Sequence, residues 1–244
     1  MGTVFTVRVD DDVDPAAVDG VFEWWADVEA RFSTFIPDSQ ISRIGRGELA
    51  PDDADPDVRH VLSVCAEFEE TTGGRFSIRP GRPGGPGLDP AGYVKGWSVD
   101  EAALLLRGAG ARNFVIYAGG DVLCSGVPSD DTAWRVGIRD PAHPERLIAA
   151  IRMERGAVAT SGSYARGDHI WGPHPGAAVA SVSVIGPVLG VADALATALY
   201  AAGESTFGWI GAFPEYGVLM VARNGAMTCS TGLVDRLDGV ERQT

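Results

Sequence analysis

The apolar positions along this chain change period several times, and each change marks an element. Residues 3–9 alternate apolar with polar, the pattern of a strand with one buried face. Pro15 suits a first helical position. From there Val18, Val21, Phe22, Trp25, Val28 and Phe32 recur at helical spacing, with Trp24 on the flank, predicting a long amphipathic helix that ends at residues 32–35. Val58, Val61, Leu62, Cys65 and Phe68 repeat that pattern over 57–72, closed by Gly73-Gly74. His60 lies one position off that stripe and reads as a surface residue. Residues 79–87 are so rich in proline and glycine that they read as loop.

Residues 88–121 form the stretch around which the rest is organised. Asp89-Pro90-Ala91-Gly92 reads as a turn, with Lys95 just beyond Gly92. Ser98 and Glu101 match an S-x-x-E capping box, which predicts a helix starting there. Val99, Ala102, Ala103 and Leu106 would face a core, and Gly108 and Gly110 would stop the helix. Residues 113–118 read as a buried strand, and Gly119-Gly120-Asp121 as the turn out of it. Two readings fit the start of this unit. Gly92 and Gly96 permit close backbone approach, while a helix start and Lys95 attract phosphate, making a nucleotide cradle. Alternatively it is an ordinary loop–helix–strand unit with a solvated lysine. Neither G-x-G-x-x-G nor a Walker lysine is present, so dinucleotide and P-loop folds are disfavoured.

Further on, residues 133–138, 147–153, 156–160 and 179–185 read as strands, and 191–202 as a helix capped by Gly203. Residues 217–222 and 226–230 flank Asn224-Gly225, a type I′ hairpin signal. Strands and helices come in runs, without strict alternation, which predicts an α+β fold rather than a doubly wound parallel sheet. No repeat or low-complexity tract interrupts it.

Composition narrows the function classes. A hydrophobic share of 45 % in 244 residues and a mean hydropathy of +0.04 suit a soluble globular protein with a real core. A formal net charge of −13, with no basic stripe, argues against a nucleic-acid partner. The acids at 10–14 and 52–57 read as solvated faces. Three cysteines without CxxC spacing argue against a disulfide framework or cysteine zinc site and fit a reducing compartment. With no signal-peptide pattern and no membrane-length apolar run, the expected location is cytoplasmic. Residues 1–6 match a loose myristoylation pattern, but they alternate like a strand.

A second group of chemical residues follows residue 156. Thr160-Ser161-Gly162 places hydroxyls and a glycine at a strand end, suited to phosphate oxygens. His169, between Asp168 and Ile170-Trp171, reads as a proton carrier, a stacked ligand contact or a hydrogen-bonded loop residue. Asp193 and Thr197 share one face of an otherwise Ala- and Leu-rich helix. A carboxylate there must cap, pair or bind a cation, because an unpaired buried charge is costly. Carboxylate plus hydroxyl at i, i+4 is also a partial Mg²⁺ site, since that ion keeps several waters.

Taken in order, these stretches resemble the ApbE family of flavin transferases. The resemblance runs through the N-terminal Met-Gly-Thr, FSTFIPDSQISRI at 32–44, TGGRF at 72–76 and LDPAGYVKGWSVDEA at 88–102. It continues through YAGGD at 117–121, ATSGSYARGDHIWGP at 159–173 and ADALATALYAAG at 192–203. It implies a single α+β, T-fold-like domain over 1–244, with mixed or antiparallel sheets flanked by helices and a flavin cleft. It also implies an Mg²⁺-dependent FAD:protein FMN transferase, with FAD as substrate and an acceptor flavoprotein carrying a target Thr or Ser as partner. By position, Asp89 and Lys95 would hold the nucleotide, and Gly92, Asp193 and Thr197 the metal. Met1 and Phe35 would line the flavin. Arg75, Phe76 and Ser77, the turn Gly119, Gly120 and Asp121, and Thr160, Ser161 and Gly162 would contact the nucleotide. His169 would move a proton, and the catalytic set would be His169, Asp193 and Lys95.

The implied chemistry is phosphoryl transfer: the acceptor hydroxyl attacks the FMN phosphorus and AMP leaves. The chain departs from the family pattern in the connection before the D-L-G-G-I-A-K-G motif, here only the Pro/Gly loop, in that motif itself, here DPAGYVKG, and in two further places. Ser77-Ile78 stands where the family has Asp-Pro, and Gly172-Pro173-His174-Pro175-Gly176 where it has D-P-x-T-G. Both lie outside the metal and pyrophosphate set, which is retained. Two alternatives therefore accompany the transferase: FAD hydrolysis to FMN and AMP, and a non-catalytic FAD-binding homologue.

Overall fold

The computed structural model describes residues 3–79, 87–162, 179–203 and 210–238. The strands are β1 (Phe5–Val9), β2 (Phe114–Ala118), β3 (Asp121–Ser125), β4 (Trp134–Arg139), β5 (Leu147–Met153), β6 (Gly156–Gly162), β7 (Val179–Gly186), β8 (Gly217–Ala222), β9 (Met227–Cys229) and β10 (Leu237–Asp238). The helices are α1 (Pro15–Phe32), α2 (Gln40–Gly45), α3 (Pro56–Thr71), α4 (Ala91–Gly108) and α5 (Leu189–Ala202). One open sheet runs β1-β2-β3-β6-β7-β8-β9 and a smaller one β10-β5-β4. Every ladder among the described residues is antiparallel. The α+β expectation holds, and none of the described helices is long and apolar enough to cross a membrane.

The large sheet is buried on both faces, which makes three layers. Phe114, Ile116, Leu123, Ala157, Val184 and Val218 face the helices. Their neighbours Val115, Val122, Cys124, Val158, Ile185 and Leu219 face the small sheet, with Trp134, Val136 and Ile151. Period-two alternation here separates two cores rather than core from solvent.

The structure corrects several sequence expectations. α4 begins at Ala91, two turns before Ser98. Asp89 accepts a hydrogen bond from the Ala91 amide (3.1 Å), and Pro90 occupies the cap position without a side-chain bond. Ser98 is instead buried inside the helix. Its hydroxyl donates to the Lys95 carbonyl (2.8 Å), and its carbonyl accepts from the Trp24 (2.9 Å) and Trp25 (3.2 Å) indoles of α1. A helix tolerates Gly92 and Gly96 there because tertiary packing outweighs their roughly 1 kcal/mol propensity deficit each. A β-carbon on Gly96 would lie 2.6 Å from the Leu189 carbonyl oxygen. Gly96 thus lets α4 approach α5, and the close approach read as ligand contact is helix–helix packing.

Residues 121–125, of which the sequence reading placed only Asp121, in a turn, form β3, every residue of which is buried. The Asn224-Gly225 hairpin is not type I′. Among the described residues no non-glycine has positive φ, so within this hairpin only Gly225 (φ +85°) is left-handed. The Gly225 amide bonds to the Ala222 carbonyl (2.9 Å), which gives a three-residue loop with a left-handed glycine closing it. The acids at 10–14 are working clasps, not a solvated face. Asp14 caps α1 through the Ala16 amide (2.9 Å), and Asp10 pairs with Arg8 (2.7 Å). Asp11 accepts from the Arg112 and Asn113 amides (2.6 Å each) and the Asn113 side chain (2.7 Å). Those bonds hold its carboxyl below the usual carboxylate range.

Candidate active site

α4 and α5 cross beneath the large sheet and bring the two sequence constellations together. On α4, Lys95 is largely shielded, its side chain 15 % exposed. Its ammonium lies 2.6 Å from Asp121 Oδ2 at the start of β3 and 3.5 Å from Asp193 Oδ1 on α5. Asp121 (1 % exposed) and Asp193 (3 %) are both buried.

The β2–β3 hairpin aims Asp121. Ala118 and Asp121 are paired, and Gly119 (φ +57°) and Gly120 (φ +104°) make the two-residue turn between them. A β-carbon on Gly119 would overlap the Thr3 hydroxyl. Asp121 Oδ1 also accepts from the Thr160 amide (3.0 Å), tying the hairpin to β6.

Asp193 is not a cap. α5 starts at Leu189, so Asp193 lies in its second turn. Its Oδ2 is buried with no hydrogen-bond partner among the described residues. Burial pushes its carboxyl well up, assisted by Asp121 and opposed by Lys95 and the Gly96 amide. Two carboxylates share one lysine, so the cluster carries surplus negative charge when both are ionised. The cap of α5 is Asp100 of α4, which accepts from the Leu189 (2.9 Å) and Gly190 (2.7 Å) amides. Burial raises the Asp100 carboxyl to about 6 despite those two bonds. Sequence reading missed Asp100, because a carboxylate capping another helix leaves no local signal.

The set fits a hard cation. Asp193 offers an unsatisfied oxygen. Thr197 is one turn on, and a β-carbon on Gly92 would sit 3.1 Å from its hydroxyl, so these residues converge from two helices. In a regular helix the Gly96 amide serves the Gly92 carbonyl, and here it also bonds to Asp193. No group of three His, Cys, Asp or Glu residues gathers among the described residues. Mg²⁺, held through few carboxylates and several waters, suits that arrangement better than a zinc-type cluster.

The other predicted residues are placed as follows. Asp89 sits beside the α4 start. Phe35 projects from the turn after α1, 87 % exposed, with an aromatic face available to a ring. Phe76 is a core side chain against Phe68 (ring centroids 5.7 Å), so it supports the Gly92 turn from beneath instead of presenting its ring to solvent. Arg75 donates to the Thr72 carbonyl (3.1 Å), and Ser77 donates to Glu69 (2.9 Å). Thr160, Ser161 and Gly162 are laddered to β7. The Thr160 amide serves Asp121, and its hydroxyl is paired with Ser183 (2.9 Å). That segment therefore braces the site more than it offers free donors. Met1 and His169 lie outside the described residues.

The ApbE family profile matches residues 1–82 and 81–212. A FAD:protein FMN transferase of Rhodobacter capsulatus is 32 % identical over 201 residues, covering 77 % of this chain and 38 % of that protein. One of Vibrio cholerae is 32 % identical over 150 residues, covering 56 % of this chain and 45 % of its own length. The chain thus spans less than half the length of these curated relatives. The solved flavin transferase ApbE of Vibrio cholerae superposes with a TM-score of 0.81 at 22 % identity, covering 94 % of each chain. The ApbE protein of Thermotoga maritima gives 0.81 at 22 %, covering 97 % of this chain and 99 % of that one. With the family profile spanning most of its length and the fold matched throughout, this chain belongs to the ApbE family.

Proposed function

We propose that residues 1–244 form one flavin transferase unit, an Mg²⁺-dependent FAD:protein FMN transferase. It would move FMN from FAD to a threonine or serine hydroxyl of an acceptor flavoprotein and release AMP. The observation that carries this reading is the buried Lys95–Asp121–Asp193 cluster, with its unsatisfied Asp193 oxygen. The relatives named FAD:protein FMN transferase support it.

Asp193, Thr197 and the Gly92 carbonyl would hold the cation, which when bound would neutralise pyrophosphate charge. Asp121 fixes the Lys95 ammonium so that it meets the phosphate without reorganising. Asp89 orders the α4 start, and Phe35 offers the flavin a flat face. The acceptor oxygen–phosphorus bond forms as the phosphorus–oxygen bond to AMP breaks. The hydroxyl proton passes to His169, whose ordinary pKa lies near neutrality. Buried thiols at Cys65 and Cys124, both free, suit a reducing, cytoplasmic setting.

A second reading has water as the acceptor, giving FMN and AMP. It rests on Ser77-Ile78 and the 172–176 segment, where the family's acidic and threonine residues are replaced. The paired Asp193 and Thr197 weigh against a purely binding role. The test mixes the chain, FAD, Mg²⁺ and candidate flavoprotein acceptors and looks for UV-fluorescent protein bands after denaturing electrophoresis. AMP release without labelled acceptor would favour hydrolysis, and neither product would sink both enzymatic readings.

A further inference from the structure

The candidate site is divided between two helices: Gly92 and Lys95 ride on α4, Asp193 and Thr197 on α5. Its dimensions therefore depend on how α5 is registered against α4. Gly96 and Gly190 permit the approach, since a β-carbon on Gly190 would lie 3.0 Å from the Trp97 amide nitrogen. Small residues permit contact but do not resist sliding. Inside the site Lys95 and the Gly96 amide meet Asp193; outside it the directional contact is Asp100, whose two carboxylate oxygens accept separately from the Leu189 and Gly190 amides. The cap residue of α5, Val188, has no side-chain acceptor of its own. Asp100 stands five residues beyond Lys95, roughly 7.5 Å along the helix axis, and Gly190 three before Asp193.

We propose that Asp100 is a positioning residue of the cation site, a two-point strut fixing Asp193 and Thr197 against Gly92 and Lys95. This rests on the reading of that site given above. Two hydrogen bonds to adjacent amides fix rotation as well as distance, and a displacement of about 1 Å is enough to degrade a hard-cation site.

The test uses the full chain with Asp100→Asn, which keeps volume and one acceptor, and Asp100→Ala, which keeps neither. Mn²⁺ binding to the metal-free protein is followed by electron paramagnetic resonance, and amide hydrogen exchange is followed over 189–195. The expected result is a graded rise in the Mn²⁺ dissociation constant, about fivefold for Asn and tenfold or more for Ala, because only part of each lost charge-assisted bond is transmitted to the cation site. Exchange of the Leu189 and Gly190 amides should accelerate in parallel, while FAD affinity without divalent ion stays within about twofold. A merely destabilised protein would lose folded fraction without changing the Mn²⁺ affinity of what remains folded. Mn²⁺ constants within twofold of wild type in both variants would overturn the proposal. If the wild-type chain binds no Mn²⁺, the cation-site reading itself fails. The proposal then falls with that reading, whereas wild-type Mn²⁺ binding with unchanged constants in both variants overturns the strut alone.

Discussion

Replacing Lys95 by Met removes one charge from a buried group of three and keeps most of the side-chain volume. The Lys95–Asp121 contact is 2.6 Å, and Asp121 and Asp193 are both nearly sealed from solvent. Stranding one partner of such a pair costs about 3–5 kcal/mol. Here the lower end applies, because Asp193, already pushed up by burial, takes up a proton once Lys95 is gone. For a chain of this size about 3 kcal/mol lowers the melting temperature by roughly 6–12 °C. Adding Asp121→Asn removes the stranded charge, so the double variant should recover most of that loss, with a coupling of about 2 kcal/mol. FAD affinity should stay about tenfold or more below wild type in both variants, because the phosphate contact is missing in each. Circular dichroism melts and urea titrations give the stabilities, and calorimetry gives the FAD affinity. Additive stability effects, with coupling below about 0.5 kcal/mol, would refute the buried-triad argument. Wild-type FAD affinity in the double variant would refute the role of Lys95 at the phosphate.

Three further outcomes follow from packing and from titration. Gly96→Ala should cost at least about 2 kcal/mol in urea unfolding, because the new methyl meets α5 backbone that cannot give way. Gly20→Ala, in α1 with nothing within 4 Å of the new atom, should stabilise by about 0.5–1 kcal/mol. Asp11→Ala should cost about 1–2 kcal/mol at pH 7, discounted for partial exposure. The folded carboxyl lies below its unfolded value, so this contribution is complete above the unfolded pKa and disappears as pH falls through the folded one. Wild type and variant should therefore converge in stability under acid, and a constant gap down to about pH 2 would contradict the assignment.

Much of the fold was legible because its elements have one dominant neighbour. The stripes of α1 and α3 and the alternation of β1 and β4 identify them from sequence alone. β3 escaped because Asp-Val-Leu-Cys-Ser is buried throughout, so no polar face reveals its period. The start of α4 was misplaced because Asp-Pro and two glycines have turn chemistry. Their helical state is enforced by α5, which lies about a hundred residues further along the chain. Asp193 and Thr197 were legible as a pair by their spacing. Whether Asp193 capped its own helix was not, since the answer depended on Asp100 and on where α5 begins. The fixing of Lys95 by Asp121 also depends on a tertiary contact between α4 and the β2–β3 hairpin.

On the proposed reading, Asp193 holds a cation that FMN transfer requires. The most direct measurement is the intact mass of an acceptor flavoprotein after incubation with FAD and either the wild-type chain or Asp193→Asn, with Mg²⁺ or with EDTA. The amide is close in shape but a poor ligand for a hard cation. An FMN adduct is expected with wild type and Mg²⁺, none with EDTA, and at most about a hundredth of the wild-type rate for Asp193→Asn, the loss typical of a removed charge-stabilising group. An adduct formed by Asp193→Asn at the wild-type rate, with unaltered Mg²⁺ dependence, would contradict that reading.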